Sequence, residues 1–157
     1  MQIRLVTVGK LREPHLTQAL EAYEKRLRPL CDLQCIALPA QRLSDKPSRK
    51  EIDRALAAEA QSIRKAARGY LIAMCIEGKS CTSEALSQLL TRELPQQYSA
   101  VTFVIGSSFG LDPVLKQEAQ RRLSMSPMTF PHALACVMLL EQIYRCYQID
   151  RGTGYHK

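Results

Sequence analysis

Val101-Thr102-Phe103-Val104-Ile105, followed at once by Gly106-Ser107-Ser108-Phe109-Gly110-Leu111 and then Asp112-Pro113, decides the fold class. A continuous apolar run of this length reads as a strand buried on both faces. Glycines directly after it allow a tight turn, and Asp112 before Pro113 is a helix cap with proline in the first turn. Strand, glycine loop and capped helix in succession form the repeating unit of an α/β protein.

The same alternation extends in both directions from this point. Ile3 to Val8 is a β-rich run ended by Gly9-Lys10, and Leu16, Leu20, Tyr23 and Leu27 share one helical face after Pro14. A strand over Leu33 to Leu38 leads into a polar loop with Pro39 and Pro47. Ser48-x-x-Glu51 is a capping box, opening a long amphipathic helix that carries Ile52, Leu56, Ala60, Ile63 and Ala67 to Arg68-Gly69. Tyr70 to Ile76 is another continuous apolar strand, after which Gly78-Lys79 is expected to turn the chain. Thr82 caps a helix bearing Leu86, Leu89 and Leu90, stopped by Pro95. Beyond the Asp112 helix an extended piece near Met128 to Phe130 is expected to lead into the final helix. The residues alone therefore predict a single domain over 1–157, with a mainly parallel sheet flanked by helices and an ordinary unknotted doubly wound connectivity.

At 157 residues, 46% hydrophobic and 24% charged, the chain has the balance of a globular domain. No apolar run approaches the roughly 18 residues of a membrane span, and Met1 to Val6 reads as a strand without a leader's apolar core. A cytoplasmic protein is the expectation, with no membrane partner. The net charge of +7 favours a polyanionic partner, although many small proteins are this basic without binding nucleic acid. Six cysteines lack zinc-finger spacing to any histidine, so buried free thiols are expected and no metal site.

The last thirty residues carry the most chemistry. Met125-Ser126-Pro127-Met128-Thr129-Phe130-Pro131-His132 sets prolines on either side of an apolar piece, a rigid segment whose remaining backbone groups could face an adenine edge. A constrained edge strand is the plainer reading. Glu141 and Arg145 stand four apart on an otherwise apolar helix, which suits mutual charge satisfaction as well as an oriented substrate arginine. Such a helix needs covering on more faces than one small domain provides, which predicts a homodimer. Tyr155, His156 and Lys157 beyond it suit stacking, proton handling and phosphate contact, and are expected to contribute little to folding. On spacing alone the Gly106 loop is an ordinary strand-to-helix turn needing Gly110. It lacks the glycine and lysine pattern of nucleotide-phosphate loops.

In combination these segments carry a resemblance. VTVGKL (Val6 to Leu11), EAYEKRL (Glu21 to Leu27), IEGK (Ile76 to Lys79), VIGSSFGL (Val104 to Leu111), MTFPH (Met128 to His132), LLEQIYR (Leu139 to Arg145) and GYHK (Gly154 to Lys157) resemble the ribosomal large-subunit methyltransferase H family, small SPOUT-class enzymes. The resemblance implies a homodimer with a C-terminal trefoil knot. It implies S-adenosyl-L-methionine as cofactor and methylation at N3 of a pseudouridine in the helix 69 loop of 23S rRNA, whether in free RNA, the large ribosomal subunit or the assembled ribosome. Cofactor contacts then fall on Met74, Gly106 and Met125, Ser126, Pro127, Met128, Thr129 and Phe130, with His132, Arg145, Tyr155 and His156 handling the substrate. On this reading valine at Gly106 would abolish cofactor binding while leaving the protein folded. The chain departs from the family pattern at Ser107, where a second glycine is usual, and at Cys136, where an arginine is usual. Those departures fit a non-catalytic RNA- or ribosome-binding module that has lost activity, and an α/β enzyme acting on a small molecule is a further alternative.

Overall fold

The computed structural model describes residues 1–156, with His156 described in its backbone alone; the His156 side chain and Lys157, both expected in substrate handling, lie outside the described residues. The elements run β1 (Gln2–Val8), α1 (Pro14–Leu27), β2 (Asp32–Leu38), α2 (Arg49–Ala66), β3 (Tyr70–Lys79), α3 (Ser83–Gln88), β4 (Ala100–Ile105), α4 (Pro113–Glu118), β5 (Arg121–Leu123) and α5 (His132–Asp150). A π turn over Leu89–Glu93 extends α3, and a 3-10 turn over Gly154–His156 follows α5. The five strands form one parallel sheet in the order β2-β1-β4-β3-β5.

Alternation along the strands sorts the side chains into two layers. Ile3, Leu5, Val101, Phe103 and Ile105 face α1, α3 and α5, and pack with Leu20, Leu86, Leu90, Leu140 and Ile143. Val6, Val8, Ala73 and Val104 point the other way, against Ala60 and Ile63 of α2 and Leu115 of α4. Every residue of β4 is buried, as expected of a central parallel strand. Its one hydroxyl, on Thr102, is satisfied by accepting from Arg68 N at 2.9 Å and donating to Arg68 O at 2.7 Å.

The local signals in α2 behave as the sequence predicts. The Ser48 side chain accepts from Glu51 N, and the Glu51 carboxylate accepts from Ser48 N at 2.7 Å. Two expectations change. The fifth strand is Arg121–Leu123, and Met128–Phe130 is irregular backbone in the wall of a cavity. Gly78 does not turn the chain, because β3 continues to Lys79. A Cβ on Gly78 would lie 2.7 Å from the Leu123 carbonyl carbon, so Gly78 lets β3 and β5 pass closely. All six cysteines are unpaired; Cys136 and Cys146 are buried, whereas Cys35 is exposed.

Candidate active site

In a parallel sheet the carboxyl ends of the strands share one edge, where open α/β sheets bind ligands. The segments leaving β3, β4 and β5 meet there around a cavity of about 380 Å³. Met74 comes from β3, Gly106 from the loop after β4, and Met125, Ser126, Met128, Thr129 and Phe130 from the segment after β5. Seven of the eight positions expected to hold cofactor therefore line one space; Pro127 is not in its wall. Its volume falls within the range of sites for ligands of drug size.

The glycine loop is built from within. Gly110 N donates to Ser107 O at 2.8 Å, and Gly110 takes φ +85°, which closes the turn. Gly106 has ordinary φ, yet a Cβ there would lie 2.1 Å from the Gly110 carbonyl oxygen. The glycine is thus required by the loop's own backbone, before any ligand is considered. Valine at 106 would displace the loop itself, so lost binding in that variant would reflect a rearranged loop as well as a lost contact. Ser107 fits without strain: no described non-glycine residue has positive φ.

His132 opens α5 and faces the cavity. Its Nδ1 lies 3.0 Å from the Gly106 carbonyl oxygen, which can only accept, so Nδ1 carries the proton. Nε2 is then a lone-pair acceptor, and among the described residues it is the one buried side-chain nitrogen or oxygen without a hydrogen-bond partner. Burial lowers the His132 pKa, against the opposing effect of the Gly106 hydrogen bond, so the ring is neutral at pH 7.

Arg145 and Tyr155 are brought together elsewhere. Arg145 Nη2 and Nε donate to Glu141 Oε1 at 2.7 and 3.1 Å. The Tyr155 hydroxyl donates to the same oxygen at 3.1 Å, its ring lies 4.8 Å from the guanidinium carbon, and it meets Tyr144 edge-on at 5.1 Å. Tyr155 is docked against α5 through these contacts, which opposes the expectation that it contributes little to folding. Partial burial, the Tyr23 hydroxyl and the Glu141 charge push the Tyr155 phenol up to about 12, so at neutral pH it is a donor and not a base. Hydrogen bonding to Glu141 raises Arg145 above its ordinary range, leaving a permanent cation. Arg145 follows His132 by thirteen residues on one helix, about 20 Å at the helical rise. Neither Arg145 nor Tyr155 lines the cavity of its own chain.

Sequence reasoning missed Glu77 and Lys116, which pair with each other in the cavity wall. The pairing holds Glu77 below the usual carboxylate range. Glu77 lies within the IEGK segment (Ile76 to Lys79), but nothing in the sequence points to a partner 39 residues away. Cys136, on α5, is completely buried in the core, so no guanidinium occupies that position.

A family model described as predicted SPOUT methyltransferase matches residues 1–156. The chain belongs to the SPOUT methyltransferase family. Within it, the Ribosomal RNA large subunit methyltransferase H of Streptococcus pyogenes serotype M5 (strain Manfredo) is 40% identical over 159 residues, covering 100% of both chains. The protein of that name from serotype M49 (strain NZ131) is equally similar over the same span. Solved structures show the same fold at much lower identity. A probable methyltransferase from Bordetella pertussis Tohama I superposes with TM-score 0.57 at 15% identity, covering 92% of this chain and 95% of that one. A probable methylase family protein from Haemophilus influenzae Rd KW20 gives 0.56 at 12% identity, covering 99% of this chain and 70% of that one.

Proposed function

We propose that this SPOUT methyltransferase uses S-adenosyl-L-methionine to methylate N3 of a pseudouridine in the helix 69 loop of 23S rRNA, acting as a knotted homodimer in the cytoplasm. The observation that carries the reading is the cavity of about 380 Å³ at the carboxyl edge of the sheet, walled by Met74, Gly106, Met125, Ser126, Met128, Thr129 and Phe130. The shared family, and the ribosomal RNA large subunit methyltransferase H relatives 40% identical over the full length, support ribosomal RNA of the large subunit as the substrate. The residues fit the cofactor: methionine, leucine and phenylalanine side chains give an apolar wall, and His132, whose buried Nε2 has no hydrogen-bond partner, is among the lining residues. When bound, the cofactor supplies an electrophilic methyl group on a sulfonium.

The work left to the chain is positioning and removal of one proton, because an imide nitrogen is protonated at neutral pH. His132 Nε2, neutral and unpartnered, is the acceptor for that proton. Arg145 stabilises the negative charge that develops on the uracil carbonyls. Since Arg145 sits about 20 Å along α5 from its own His132, the arginine and Tyr155 of one copy serve the cavity of its partner. Half-buried Val137 and Met138 of α5 flank a groove with Tyr23, Leu86 and Glu141, which supports a second copy packing there. Binding of the RNA weakens steeply with salt, since each neutralised phosphate releases counterions.

Calorimetric titration with S-adenosyl-L-methionine, followed by transfer of labelled methyl groups to ribosomes, tests this reading. Saturable binding with transfer to 23S rRNA is expected. Binding without transfer would favour the non-catalytic module, and no binding would overturn the assignment.

A further inference from the structure

The glycine loop is a thin partition with open space on both faces. Ser107 and Ser108 line the main cavity, and they also line a separate hollow of about 240 Å³ behind the loop, together with Gln41, Leu56, Glu59 and Phe109. A loop with so little packed behind it must be held by hydrogen bonds. His132 holds it on the α5 side through the Gly106 carbonyl. On the other side, the Ser107 hydroxyl donates to Glu59 Oε2 at 2.9 Å. The second oxygen of the same carboxylate accepts the backbone N–H of Gln41 at 2.9 Å.

Glu59 has no packing reason to be acidic. It is 5% exposed, on the face of α2 that buries Ala55, Leu56, Ala60 and Ile63. A carboxylate there carries a desolvation cost that an apolar side chain would avoid. Both of its described donors belong to loops, one from the cofactor side and one from the segment 39–47 that precedes α2.

We propose that Glu59 is a positioning residue for the cofactor site: through Ser107 it fixes the Gly106–Gly110 partition against the cavity, and through Gln41 it couples that partition to the segment 39–47. The proposal rests on the cofactor reading above. Coupling between two loops is reciprocal, so a ligand that orders the partition also orders 39–47. Serine at 107, a departure from the family's usual glycine, supplies the hydroxyl that makes the link in this chain.

The test uses the full chain with S-adenosyl-L-methionine as probe, reading affinity by calorimetry and amide exchange across 39–47 with and without the probe. In the unsubstituted protein, added cofactor slows exchange in 39–47. Ser107→Ala weakens cofactor binding by about fivefold or more, the scale of one lost hydrogen bond, and abolishes that slowing. Ser107→Thr, which keeps the hydroxyl, restores both. Ser107→Ala with unchanged affinity and unchanged cofactor-dependent exchange would overturn the proposal, even if its unfolding midpoint fell. Should Ser107→Ala fail to fold, Glu59→Met gives the same decision, because it removes both acceptors while keeping a side chain of about the same length. If the unsubstituted protein takes up no cofactor, the cofactor reading itself fails and this one with it; binding that is indifferent to both substitutions overturns this one alone.

Discussion

Replacing Tyr155 should destabilise the whole domain, although it sits beyond the last long helix. Its hydroxyl donates to Glu141, its ring lies over Arg145, and its edge meets Tyr144. Tyr155 is 37% exposed, so each contact is worth the lower part of its usual range. The cation–π contact then contributes about 0.5–1 kcal/mol. The edge-on aromatic pair adds about 0.5–1, and the exposed hydrogen bond about 0.5–1. Ordering the last turn of chain opposes these gains, which leaves a net cost of about 1–2 kcal/mol for Tyr155→Ala and about 0.5–1 for Tyr155→Phe, which loses the hydroxyl alone. At about 2–4 °C per kcal/mol for a domain of this size, Tyr155→Ala lowers the thermal midpoint by roughly 2–8 °C and Tyr155→Phe by roughly 1–4 °C. Differential scanning calorimetry of the three proteins in one buffer measures both steps. A midpoint unchanged in Tyr155→Ala would refute the stabilising role of these contacts and restore the expectation that Tyr155 contributes little to folding.

Gly106→Ala should cost about 1–3 kcal/mol of stability together with cofactor binding, because its Cβ meets the Gly110 carbonyl; urea unfolding beside a cofactor titration reads both, and a stable variant that has lost only binding would contradict the packing argument. His132→Asn keeps an N–H where Nδ1 holds Gly106 and removes Nε2, so cofactor affinity stays within a few-fold while single-turnover methylation falls about a hundredfold; unimpaired turnover would remove His132 as proton acceptor. The lowered His132 pKa also fixes a sign. Between the ordinary 6.5 and the depressed folded value the unfolded chain holds the extra proton, so the stability contributed by neutral His132 is complete above 6.5 and is lost as pH falls through the folded value. Unfolding midpoints taken downward from pH 7 should therefore decline more in the native protein than in His132→Asn, and parallel curves would contradict this.

The strands and helices that carry strong periodicity were legible in the sequence, and the elements defined by distant contacts were not. The apolar runs at 70–76 and 101–105 and the Ser48/Glu51 box lie where propensity and pattern agree. β5 escaped because Arg121-Arg122-Leu123 is short and two-thirds charged, and its identity as a strand comes from pairing with β3. Prolines at 127 and 131 made the following piece look extended, although it pairs with nothing regular and serves as cavity wall. The residues of the cavity wall could be named together only through family resemblance, since methionine, serine and threonine carry no distinctive chemistry alone. Glu59, Glu77 and Lys116 stayed hidden because their partners lie 48 and 39 residues away in sequence. The Glu141–Arg145 pair was visible at four-residue spacing, but the Tyr155 hydroxyl that shares its carboxylate was not.

Mass mapping of the helix 69 segment of 23S rRNA, from cells with and without the gene for this chain, addresses the reaction most directly. Loss of one methyl group from N3 of a pseudouridine there, restored by the intact gene and not by the His132→Asn variant, is the predicted result. An identical modification pattern in both strains would contradict the proposed substrate.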